Sequence, residues 1–268
     1  MPISAAICIK RGGMDAERFE AARRRILKPE ERQRHGIGMQ AEKTLHAVLK
    51  SYYDPDEDHQ EIPVEGFIAD IFDGRQIIEI QNGGFFRMRD KLAAFLPQYP
   101  VRIVYPIPHI KYVNWINPET GEQEKRSKSP KKGSFYQVFR ELFGIRAFLA
   151  EPGLTIDLLL VDMDEYRLRD GRGQDGKRGS HRFDRIPTAL AGELVLASPR
   201  DYLAFLPYEL PAEFTASELE AASGARLGRR ESFASVLRIL EQLGLVERTG
   251  EKKGRSYLWR IKEPYASG

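Results

Sequence analysis

Asp70 and Glu79 are carboxylates nine positions apart, each set in an apolar stretch, Phe67-Ile-Ala-Asp70-Ile-Phe72 and Ile77-Ile-Glu79-Ile80-Gln81. Side chains alternate across a strand, so Glu79 and Gln81 share one face while Ile78 and Ile80 take the other, buried one. Asp73-Gly74 between the two stretches is a type I′ turn dipeptide and predicts a tight hairpin. That turn places Asp70 within about two residue steps of the position opposite Glu79, near enough for the carboxylates to converge. Two acids converging beside apolar residues repel unless a proton or cation lies between them. Mg²⁺ or Mn²⁺ would resolve the conflict, since hard divalent ions take one or two carboxylates and fill the shell with water and phosphate oxygens. The chemistry expected of such a site is metal-assisted phosphodiester hydrolysis.

The elements that must position these groups are readable from periodicity. From Ile37 to about Tyr53, Met39, Leu45, Val48 and Leu49 recur at helical spacing, and Asp54-Pro-Asp-Glu-Asp58 ends the run. Three strands are expected near Glu61 to Val64, Gly66 to Phe72 and Gln76 to Gln81. A helix follows from Phe86 to Tyr99, then a strand from Val101 to Ile107. The order is helix, three strands, helix, strand.

On this order, Gly66-Phe-Ile-Ala-Asp70 followed by Glu79-Ile80-Gln81 resembles the PD-(D/E)xK nuclease motif, over roughly residues 36–108. The resemblance implies an α/β fold with a restriction endonuclease-like core, α-β-β-β-α-β, in which a mixed sheet is flanked by helices. It makes Asp70 and Glu79 the metal ligands and Glu42, in Ala41-Glu42-Lys43-Thr44, an accessory acid beside the metal. Ala69 stands where the motif has proline, a minor change. Gln81 stands where it has lysine; its amide can donate a hydrogen bond but brings no positive charge. Some restriction endonucleases in the family use glutamine there. Alternatively the cation has moved to the next helix, where Arg87 and Lys91 lie four apart on one face, with Lys91 the preferred candidate.

Beyond the motif, Tyr112-Val-Asn-Trp-Ile116 and the stretch after Asn117-Pro-Glu-Thr-Gly121 suggest a second hairpin. It leads into a basic loop of Lys125, Arg126, Lys128, Lys131 and Lys132, with Trp115, Phe135 and Tyr136 near in sequence, a composition suited to nucleic acid. A helix near Ser134 to Leu149, a strand near Leu154 to Val161 and a long exposed loop from Arg169 to Arg185 are expected next. From Ser198 the pattern changes to short helices and a hairpin, with Thr215 and Glu218 at capping-box spacing. Residues 199–262 resemble a winged helix. Arg229 and Arg230 would lead into its third helix, while Lys252, Lys253 and Arg255 would sit on a wing touching phosphate.

Three regions follow: 1–35, an N-terminal helical extension; 36–197, a nuclease-like domain with inserted basic loops; and 198–268, a small winged-helix DNA-binding domain. One cysteine, Cys8, excludes an internal disulfide and a cysteine-rich zinc site, which suits a reducing cytoplasm. The five histidines show neither HxH nor HExxH spacing and are expected to be surface or packing residues. Met1 to Ile9 is too short for a signal-peptide core or a membrane span, so neither export nor a membrane partner is expected. A net charge of +3 is too small to argue for a polyanionic partner, so the placement of the basic blocks carries that argument.

The expected function is a metal-dependent DNA endonuclease of restriction, repair or defence type. It would act on DNA as a homodimer where both strands of a duplex are cut, or within a larger restriction, repair or defence complex. The alternatives are a non-cleaving DNA-binding regulatory protein that keeps the fold, and a protein-interaction module.

Overall fold

A computed structural model describes residues 15–27, 43–117, 119–168, 181–228 and 232–262. Helix α1 (Ala16–Ile26) starts at Asp15, whose side chain accepts from the Arg18 N–H. It packs Phe19 and Ala22 on α2 (Lys43–Tyr53), whose Leu45, Val48, Leu49 and Tyr52 form the apolar stripe foreseen from their spacing. Both helices cover one face of a sheet through Ile80, Val104, Leu159, Val161 and Met163.

The sheet opens with an antiparallel meander of β1 (Gln60–Val64), β2 (Phe67–Phe72) and β3 (Ile77–Ile80). Helix α3 (Arg89–Phe95), entered through a 3₁₀ turn at Phe85–Met88, carries the chain over to β4 (Val101–Ile116), which returns parallel to β3. Strands β5 (Gln123–Lys128), β6 (Leu154–Leu168) and β7 (His181–Leu196) complete the order β1-β2-β3-β4-β6-β7, with β5 also paired to β4. The result is an α/β molecule with a mixed sheet flanked by helices, and α2-β1-β2-β3-α3-β4 follows the expected order.

The second face packs Ile77, Ile103, Ile107, Ile156 and Leu158 against Phe85, Leu92, Phe95 and the segment 135–149. That segment contains α4 (Phe139–Leu142) between 3₁₀ turns rather than one continuous helix. No helix among the described residues is long and apolar enough to cross a membrane.

Several local expectations are corrected. The two-residue turn with positive φ is Glu65-Gly66 (47° and 80°), between β1 and β2. At Asp73-Gly74 the connection runs four residues, from Phe72 to Ile77, because Asp73 Oδ1 accepts from the Arg75 and Gln76 N–H groups and widens the turn. The two strands expected in 101–116 are one. Pro108 interrupts the pairing, but Asp162 Oδ1 takes the Ile110 N–H at 2.9 Å and the strand resumes at Lys111. Lys125, Arg126 and Lys128 therefore lie on strand β5, leaving only Lys131 and Lys132 in the loop after it. Residues 181–185, expected in a loop, begin β7, where Arg185 pairs with Glu165 across the ladder. Their charged composition hid the strand.

In the C-terminal part, a 3₁₀ helix (Pro199–Phe205) starts at a Ser198–Asp201 capping box and α5 (Ala216–Ser223) at the Thr215–Glu218 box. Helix α6 (Phe233–Gln242) precedes the hairpin β8 (Val246–Lys253) and β9 (Ser256–Ile261). The residue 197/198 boundary is not a break in packing. Tyr136, Phe139, Phe205 and Phe233 meet across it, with Phe139 and Phe205 rings 4.7 Å apart, and one apolar cluster includes both sides.

Candidate functional site

Strands β2 and β3 pair only at Ile71–Ile78 and Phe72–Ile77; one further step would set Asp70 opposite Glu79. There the strands part. The Ile80 N–H donates to Asp70 Oδ2 at 2.7 Å in place of another backbone rung. On the other strand, the Ile68 carbonyl accepts from Lys91 Nζ at 2.7 Å. Lys91 reaches in from α3 and also donates to both oxygens of Glu79, at 2.8 and 2.9 Å. The Gln81 amide donates to Glu79 Oε2 at 3.3 Å. β3 stays fixed on its other side, where the Gln81 N–H donates to the Val104 carbonyl.

Helix α2 closes the opposite side. His46 Nε2 lies 3.3 Å from Asp70 Oδ2, and one turn on, the buried Lys50 ammonium pairs with Glu61. Glu61 falls between the Gln60–Ile71 and Ile62–Ala69 pairs, beside Asp70, and has φ of 54°. A non-glycine residue in that left-handed region is strained and must be held by its surroundings, here by the Lys50 pair.

The two carboxyls differ in electrostatics. Burial pushes Glu79 up to about 7, with the Asp70 charge adding to it and Lys91 only partly offsetting both. Burial also acts to raise Asp70, but the His46 hydrogen bond and charge, the Ile80 N–H and Lys50 outweigh it and hold the group below its ordinary value. The site therefore holds one ionised carboxylate beside another that is short of positive charge.

The structure brings together Asp70, Glu79, Gln81 and Lys91. Glu42 lies outside the described residues. Arg87, one turn before Lys91, lies with its guanidinium 5.4 Å from the Phe86 ring centre instead of on the carboxylates. His46, Lys50 and Glu61 were not anticipated; the signal for the first two was their four-residue spacing beside the buried stripe of α2. No group of three or more histidine, cysteine, aspartate or glutamate side chains suited to a metal occurs among the described residues. Two hard carboxylates with open chemistry toward water and phosphate nonetheless match the donor set of Mg²⁺ or Mn²⁺.

The basic residues divide by their contacts. Lys125, Lys128, Lys131 and Lys132 are exposed. Arg126 is committed within the fold, 3.8 Å over the Tyr112 ring and 3.1 Å from Asp164. Lys252 lies 4.7 Å over the Tyr257 ring, Lys253 pairs with Glu218 at 2.8 Å, and Arg255 is exposed in the β8–β9 turn. Arg229 and Arg230 lie outside the described residues. A further cluster escaped the sequence: fully buried Glu165 is met by Lys111, Arg167, Arg182 and Arg185 at 2.6 to 3.5 Å.

No solved structure matches the chain. A protein of Treponema pallidum (strain Nichols), described only as uncharacterized, is 29% identical over 222 residues, covering 82% of this chain and 85% of that protein. Residues 43–197, which carry α2, the whole sheet and every side chain of the site just described, match the family described as a domain of unknown function, DUF8091. The chain belongs to the DUF8091 family.

Proposed function

We propose that the chain is a metal-dependent DNA nuclease built on a restriction endonuclease-like core, with residues 198–268 acting as a winged-helix DNA-binding domain. The observation that carries the reading is buried Glu79, raised to about 7 beside ionised Asp70 where β2 and β3 part. The order α2-β1-β2-β3-α3-β4 supports the core assignment, and the α5-α6-hairpin order, with the Phe214–Trp259 bridge, supports the winged helix.

Asp70 and Glu79 would hold Mg²⁺ or Mn²⁺, which when bound supplies an activated water and neutralises charge on the phosphate. Lys91 then leaves Glu79 for the phosphate, its four-carbon arm letting the ammonium move while α3 stays fixed. The Gln81 amide, on the same strand face as Glu79, orients water by hydrogen bonding. His46 holds Asp70 ionised and aimed. Lys125, Lys128, Lys131 and Lys132 would supply salt-sensitive phosphate contacts. Cleavage of both duplex strands calls for a homodimer or a partner in a larger restriction, repair or defence complex.

Plasmid and oligonucleotide cleavage in Mg²⁺ or Mn²⁺ tests this. Asp70→Asn and Glu79→Gln are expected to lower the rate at least a thousandfold, about 4 kcal/mol of barrier. Cutting that survives both changes sinks the site. One observation favours a second reading, a DNA-binding regulator without cleavage: Lys91 already neutralises both oxygens of Glu79 in the position a metal would take. DNA binding with no Mn²⁺ uptake by calorimetry would select it.

A further inference from the structure

Among the described residues, Phe86 and Ile68 are large apolar side chains each 55% exposed, and both flank Lys91. The Ile68 carbonyl binds the Lys91 ammonium, and Phe86 lies five residues before Lys91, within about 10 Å along the helical rise. The backbone that presents Phe86 is rigid. Glu141 Oε2 accepts from the Gly84 and Phe85 N–H groups at 2.5 and 3.2 Å, and Gly84 has φ of 71°. Gly144 packs so closely that an added Cβ would lie 2.6 Å from the Phe86 nitrogen. Phe85 is fully buried, so its neighbour is held outward. Arg87 lies over the Phe86 ring, and no carboxylate among the described residues forms an ion pair with it.

A rigid, exposed aromatic ring capped by a cation beside a phosphodiester site suits a flat π-face next to a phosphate. Aromatic side chains stack on unpaired bases of any sequence, and arginine adds to that contact. An uninterrupted duplex keeps its base faces inside the stack and offers such a ring nothing. We propose that Phe86 is a stacking platform for an unpaired nucleobase, with Arg87 on the adjoining phosphate. The preferred substrate is then single-stranded or locally unpaired DNA. The substrate assignment rests on the nuclease reading of the adjacent carboxylates; the platform itself does not.

The test uses the full chain in EDTA, with fluorescence anisotropy of a labelled single-stranded oligonucleotide and of the same sequence as a duplex. Phe86→Ala is expected to weaken single-strand binding about tenfold and leave duplex binding within about twofold, with Phe86→Trp restoring the former. Unchanged single-strand affinity in Phe86→Ala overturns the proposal. So does an equal loss on both substrates, which would make Phe86 a duplex wedge. Wild-type protein that binds neither DNA also overturns it.

Mn²⁺ calorimetry on the same samples separates the two ideas. Metal uptake lost in Asp70→Asn, together with an inert Phe86→Ala, keeps the nuclease site and rejects the platform. A single-strand defect in Phe86→Ala without metal uptake keeps the platform and rejects the nuclease.

Discussion

Glu79 on β3 and Glu165 on β6 are both fully buried glutamates of one sheet, yet their charge environments are opposite. Glu79 faces one lysine and shares its space with Asp70; burial first, and then that neighbour, carry it up to about 7. Burial works on Glu165 in the same direction, but Lys111 and Arg167 lead a set of cations that pins it at about 2. Burial and the neighbouring Arg167 and Arg185 charges in turn lower Lys111 below the usual lysine value, even with Glu165 alongside it. Burial therefore does not by itself mark a reactive carboxylate; the balance of nearby charge does. Glu165 is a counter-ion that lets four cations sit on one sheet face, whereas Glu79 has capacity for one more positive charge.

The widest gap between the two is expected in stability. Glu165→Ala strands four cations on the sheet and should cost about 3–5 kcal/mol in urea denaturation, the range for breaking a buried ion pair from one side. Glu79→Gln removes a carboxylate that is under-neutralised and should change stability by less than about 1 kcal/mol at pH 8, or raise it. Equal losses would erase the distinction.

The pH dependence comes next in size. Glu79 has a folded value above the ordinary 4.5, so the folded chain binds the extra proton and this group's contribution to stability falls as pH rises from about 4.5 to about 7. The full span is roughly 3 kcal/mol. Glu165 is depressed to about 2, so its contribution is present above about 4.5 and is lost as pH falls toward 2. Stability measured from pH 5 to 8 should therefore decline more steeply in wild type than in Glu79→Gln. Parallel curves would put Glu79 back with ordinary carboxylates.

The smallest effects concern the cations away from both glutamates. Replacing Lys125, Lys128, Lys131 and Lys132 with alanine should leave stability within about 0.5 kcal/mol. The same change should flatten the log–log salt dependence of duplex binding by up to about 3.6. Arg126→Ala should do the reverse: little change in salt slope and about 1 kcal/mol of lost stability, because its ring and Asp164 contacts lie within the fold. A stable Arg126→Ala with a reduced slope would move that residue to the DNA-facing set.

The sequence by itself determined the local elements around the site. The α2 stripe follows from Leu45, Val48, Leu49 and Tyr52, and the meander from alternating residues in 67–80. The helix starts of the C-terminal part follow from capping pairs that bond within four residues. It also placed Asp70 and Glu79 on adjacent strands and nominated Lys91. These are short-range consequences of helical and strand periods and of side chains bonding to nearby backbone.

Only the tertiary structure decided where β2 and β3 part, which hands Ile80 to Asp70 and Ile68 to Lys91. It alone brought His46 to Asp70 and Lys50 to Glu61, and it built β7 from charged residues that pair with β6. It also joined the C-terminal helices to the sheet through Tyr136, Phe139, Phe205 and Phe233. Each of these contacts joins residues distant in sequence, and none alters the local period from which strands and helices are read. The difference between Glu79 and Glu165 has the same origin: a glutamate's type sets its charge, but the cations folded around it set whether that charge is satisfied.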